Sequence, residues 1–104
     1  MIAAMLNQVE YAMGDTVVRD LKIVNIKGLH ARASAKFVEV VEAFDAQANV
    51  EKDGLSTTGD SIMGLLMLAA SKGSFINVEI SGADADAAAQ ALEALIADKF
   101  GEDF

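Results

Sequence analysis

The stretch Ala46-Gln47-Ala48-Asn49-Val50-Glu51-Lys52-Asp53-Gly54-Leu55-Ser56-Thr57-Thr58 decides the fold. Asp53-Gly54 is a strong tight-turn signal, because both residues tolerate the backbone geometry that a two-residue hairpin needs. Residues 46–52 and 55–58 then read as the outgoing and returning strands. A hairpin in mid-chain points to a largely antiparallel sheet.

Outward from the hairpin, strands and helices alternate. On the N-terminal side, residues 31–44 are helical. Phe37, Val38, Val41 and Phe44 share one face, and Lys36, Glu39 and Glu42 fall elsewhere. Before them, residues 16–25 read as a strand rich in Val, Leu and Ile. Residues 1–15 have no clear period and are expected to form an N-terminal arm to a single domain at 16–104. On the C-terminal side, Gly59 breaks the return strand. Asp60 or Ser61 caps a helix over residues 62–70, with Gly73 expected at its C′ position. Residues 75–80 form a further strand, and Ser81-Gly82 turns the chain. An alanine-rich helix starts near Asp84 or Asp86 and runs to about Phe100, with Leu92, Leu95 and Ile96 as core contacts. The order implies an α+β fold with helices on one face of the sheet.

The chain has 104 residues, no Cys and one His, and carries a net charge of −8. That length suits one domain with a modest core. No apolar run approaches the ~20 residues of a membrane span. Without a basic, apolar leader, the cytoplasm is the expected compartment. The acidic balance argues against nucleic acid, whose phosphates need an excess of Lys and Arg. No phosphate-cradling glycine motif, paired carboxylates or metal-ligand cluster is evident, so neither a metal nor a cofactor is expected. The acids near the C-terminus, from Asp98 to Asp103, read as a solvated surface.

Against this acidic background, residues 21–38 contain four bases (Lys22, Lys27, Arg32 and Lys36) and no acid. The only histidine, His30, lies among them where a strand gives way to a helix. A lone His is most often a surface or capping residue. Here Gly28 permits an unusual approach to the helix. The helix start offers unpaired N–H groups and the positive end of a dipole. Arg32 can offer a planar fork of donors to phosphate oxygens. An imidazole that accepts a phosphoryl group covalently needs no second His and no neighbouring acid.

The segment Ser61-Ile62-Met63-Gly64-Leu65-Leu66-Met67-Leu68 is apolar all round, more than a helix packed on one face requires. With Leu65, Leu68 and Ala69 towards the sheet, Ile62, Met63, Leu66 and Met67 form an apolar patch of the kind that marks a partner site. Ser61 reads first as a helix cap. As a phosphorylation site it would put the phosphate at a helix start.

Gly28-Leu29-His30-Ala31-Arg32, with Ser61-Ile62-Met63-Gly64 and Ala70-Ser71-Lys72-Gly73, resembles the histidine-containing phosphocarrier family (HPr) of the phosphoenolpyruvate-dependent phosphotransferase system. The resemblance spans roughly residues 16–100. It implies an open-faced βαββαβα sandwich with a four-stranded, mainly antiparallel sheet. It implies that His30 accepts a phosphoryl group on its δ nitrogen from phospho-enzyme I and passes it to an EIIA-type acceptor. Arg32 would assist. Ser61 would be the residue an HPr kinase/phosphorylase modifies, and Ile62, Met63, Leu66 and Met67 the shared docking surface. The protein would be a monomeric carrier within a relay, not a stand-alone catalyst. A rival reading is a regulatory binding module switched by Ser61 without any relay. Ala33 departs from the family pattern, which usually has Pro there. Residues 65–68 and the acidic C-terminus look more like the nitrogen-related branch, NPr. Sugar transport and nitrogen-related regulation both remain open as the pathway served.

Overall fold

The computed structural model describes residues 16–103. The arm at residues 1–15 lies outside them. The elements are β1 (Val17–Lys22), α1 (Ala31–Glu42), β2 (Gln47–Lys52), β3 (Leu55–Thr58), α2 (Ile62–Met67), β4 (Phe75–Ser81) and α3 (Ala85–Ala97), followed by a short 3-10 turn, Lys99–Gly101. The expected βαββαβα order is present. The sheet runs β1-β4-β2-β3, and every neighbouring pair is antiparallel. The Asp53-Gly54 turn joins β2 to β3, with both residues at positive φ.

Alternation along the strands sends one set of side chains to the core. Leu21 lies opposite Ile76, Val50 opposite Val78 and Ala48 opposite Ile80, and all six are buried. They share one core with Phe37 and Val41 of α1, Leu65 of α2, and Ala88, Leu92 and Ile96 of α3. The other face is open and carries polar pairs such as Asp20 and Asn77, where the Asn77 amide donates to the carboxylate at 2.9 Å. No helix among the described residues is long and apolar enough to cross a membrane.

Several boundaries differ from the sequence expectation, each for a local reason. β1 stops at Lys22 rather than residue 25. Ile23 leaves the ladder but bonds the later turn in both directions: its N–H donates to the Ser74 carbonyl at 2.9 Å, and its carbonyl accepts from Gly73 N–H at 2.7 Å. Asn25 then opens a turn closed by Gly28 N–H at 3.2 Å. Gly73 belongs to the turn that Ser74 N–H closes on the Ser71 carbonyl at 3.0 Å, and is not the C′ residue of α2.

The helix α2 ends at Met67, three residues early. Ala69 adopts a left-handed φ of 52°, and the Ala70 carbonyl is taken by Leu29 N–H at 2.9 Å. Ala69 is exposed rather than facing the sheet. The first helix closes at Glu42, before Phe44, and α3 closes at Ala97. Beyond it, Lys99 and Phe100 both take left-handed φ, and Phe100 is buried. Two adjacent non-glycine residues in that region cost roughly 1–2 kcal/mol each. Burial of the Phe100 ring offsets that cost and turns the chain back towards α1.

Candidate functional site

His30 is the N-cap of α1, with extended backbone and φ of −77°. The helix ladder begins at its carbonyl, which accepts from Ser34 N–H at 2.8 Å. Its imidazole does not cap the helix. The ring sits over a shallow depression of about 230 Å3 lined by Lys27, Leu29, His30, Ala69, Ala70 and Ser71.

Gly28 explains why the two loops can meet there. Its φ is 66°, and a Cβ at this position would lie 2.3 Å from the Ala70 carbonyl oxygen. Only glycine allows that approach without moving backbone. The same oxygen accepts from Leu29 N–H. The loop before α1 and the loop after α2 are thereby zipped together, and the candidate phosphoryl acceptor lies beside the candidate docking helix.

The patch on α2 is exposed as expected: Ile62 at 40%, Met63 at 69% and Met67 at 73%. Leu66 is half-buried, and Leu65 and Leu68 face the core. Ser61 caps α2, its hydroxyl oxygen accepting from Gly64 N–H at 3.0 Å. Arg32 is exposed in the first turn of α1 and has no hydrogen-bonding or ionic partner among the described residues. Lys36, read as part of the local positive field, donates instead to the Phe100 carbonyl at 2.7 Å.

The structure adds two residues to the site. The expected solvated character of 98–103 fails at Glu102, whose side chain is only 8% exposed. One carboxylate oxygen meets His30 Nε2. The other accepts from the Asn25 amide at 3.0 Å. That amide also donates to the Gly28 carbonyl at 2.9 Å, so buried Asn25 bridges the loop and the tail. Burial alone would push the Glu102 carboxyl up. The hydrogen bonds from Asn25 and His30, and the charges of His30 and Lys27, outweigh it and hold the carboxyl below its usual range. Glu102 lies 72 residues from His30 and Asn25 ends an apolar stretch. The polar type of Asn25 at a position that is otherwise core was the one signal available.

The family model described as the PTS HPr component phosphorylation site matches residues 17–98. The phosphocarrier protein HPr of Cupriavidus necator is 46% identical over 84 residues, 81% of this chain and 94% of that protein. Phosphocarrier protein NPr of Shewanella violacea is 39% identical over 84 residues, 81% of this chain and 92% of its own. Among solved structures, an HPr from Thermoanaerobacter tengcongensis superposes with a TM-score of 0.80 and 39% identity, covering 85% of this chain and 99% of that one.

Proposed function

The chain belongs to the HPr family of phosphocarriers of the phosphotransferase system, and from that premise we propose that it relays a phosphoryl group on His30, taken from phospho-enzyme I and given to an EIIA-type acceptor. The observation that carries this reading is the state of the His30 ring. Its Nε2 is engaged by Glu102, and its Nδ1 is not spent on capping the helix it begins. A neutral nitrogen at a helix start can attack phosphorus, while backbone N–H groups and the dipole favour the incoming charge. Exposed Arg32, in the first turn of α1, is free to bind phosphoryl oxygens. Ile62, Met63, Leu66 and Met67 form the docking surface that brings both partners to the depression.

Intact mass after incubation with phosphoenolpyruvate and the cognate enzyme I tests the relay. A single acid-labile phosphoryl group is expected on the wild type and none on His30→Ala. Phosphate on His30→Ala, or none on the wild type, overturns the reading.

A second site is favoured by one observation: Ser61 places its hydroxyl at the start of α2, next to the docking residues. Phosphate there would add charge to an apolar contact surface and regulate docking. An ATP-dependent HPr kinase should attach an acid-stable phosphate that Ser61→Ala lacks. The regulatory module without relay is the alternative, and it predicts that His30→Ala leaves partner control intact.

A further inference from the structure

We infer that Glu102 is a positioning residue for His30: it accepts the Nε2 proton and holds the neutral imidazole as the Nε2–H tautomer, leaving Nδ1 as the nucleophilic nitrogen. The choice of Nδ1 as the reacting atom rests on the carrier reading above. The tautomer assignment does not.

A neutral imidazole has one donor nitrogen and one acceptor. A carboxylate can only accept, so a contact between Glu102 and Nε2 requires the proton to be on Nε2. Glu102 is itself held on three sides. The Asn25 amide donates to its other oxygen. Lys36 fixes the preceding turn through the Phe100 carbonyl. Glu102 N–H donates to the Lys99 carbonyl at 3.0 Å. With 8% of its side chain exposed, the carboxylate has little water to compete for it. This is the arrangement by which a buried carboxylate orients a reactive histidine elsewhere in enzymology.

The consequence for transfer follows from charge. The Nδ1 lone pair forms a bond to phosphorus as the donor's bond to phosphorus breaks, and that electron pair leaves with the donor atom. The proton stays on Nε2. The substituted ring is then an imidazolium, and Glu102 is the anion beside it. In the onward step the N–P bond breaks, its pair returns to Nδ1 and the neutral Nε2–H imidazole is restored. Glu102 thus favours the charged intermediate without touching the phosphoryl group.

The test begins on the unphosphorylated protein. In 15N-labelled wild type, at a pH where the imidazole is neutral, the His30 nitrogens should give well-separated signals: Nε2 protonated and Nδ1 bare. In Glu102→Ala they should move towards each other as the tautomers mix. Glu102→Gln, which keeps an acceptor oxygen, should retain most of the separation. Unchanged amide signals from the β2 and β4 core show that the variants are folded. Averaged signals in the wild type, or no change in Glu102→Ala, overturn the proposal. This arm needs no phosphoryl donor, so it decides the assignment even if the carrier reading fails. In the second arm, Glu102→Ala should accept phosphate from phospho-enzyme I about tenfold more slowly, with Gln partly restoring the rate. A wild-type rate in Glu102→Ala removes the role in transfer.

Discussion

Lys36 and Phe100 are joined by a 2.7 Å bond from an ammonium to a main-chain carbonyl, spanning 64 positions of sequence. The bond holds the left-handed turn at Lys99 and Phe100 against α1 and so sets where Glu102 can reach.

Replacing Lys36 with Met keeps most of the stem and removes the donor. The variant should lose about 1–2 kcal/mol in urea unfolding. The Gly101 and Glu102 amides, which bond within the tail, should exchange with solvent markedly faster. Unchanged exchange there would mean that the Phe100 ring and the Glu102 contacts hold the tail without Lys36.

Gly28→Ala introduces a Cβ at 2.3 Å from a backbone oxygen and a side chain at φ 66°. The expected loss is about 2–4 kcal/mol, from the left-handed backbone and the forced displacement of Ala70. Gly54→Ala is the control. Its φ of 86° is equally unfavourable, but nothing lies within 4 Å, so its cost should be the smaller of the two by chemical denaturation.

The depressed Glu102 carboxyl makes stability depend on pH in a defined direction. Its folded pKa lies below the ordinary 4.5, so at acidic pH the unfolded chain binds the proton more readily. The contribution of Glu102 is therefore complete above about pH 4.5 and is lost as pH falls through the folded value. Unfolding free energies of wild type minus Glu102→Gln should shrink as pH falls below that point. A difference that grows on acidification would contradict the sign.

Ser61→Ala removes the oxygen that caps Gly64 N–H. A loss of about 1 kcal/mol is expected. Ser61→Asp can keep an acceptor at the cap and should retain more of the stability. If its docking to enzyme I, read by titration calorimetry, is nonetheless weaker, the effect belongs to charge at the surface and not to unfolding of α2.

Ala33 precedes the first bond of the α1 ladder, which starts at Ser34 N–H. Its own N–H lies among those a helix leaves without a carbonyl partner. Ala33→Pro therefore removes no ladder bond and should gain roughly 0.4–1 kcal/mol by restricting the unfolded chain. A loss by thermal unfolding would show that the buried Ala33 pocket has no room for the ring.

The alternation of strand and helix was readable because its causes are local. Asp53-Gly54 makes a turn wherever it is placed between β-formers, and Phe37 and Val41 share a helix face by spacing alone. His30 was legible because its helix start and flanking bases are neighbours in sequence. Glu102 was not, since nothing near residue 102 distinguishes it from any exposed acid. Its burial depends on Phe100 turning back and on Asn25 being free to donate. The early end of α2 was hidden for the same reason: Ala70 leaves the helix because Leu29, 41 positions earlier, takes its carbonyl.

The strand order β1-β4-β2-β3 carries a consequence for biosynthesis. The strand that separates β1 from β2 is the last to be translated. Until residues 75–81 leave the ribosome, β1 has no partner in the sheet and the floor beneath α1 is missing. Pairings this distant in sequence also slow folding. The carboxylate that sets the His30 proton arrives later still. Closure of the sheet and the contact between Glu102 and His30 are thus both deferred to the end of synthesis.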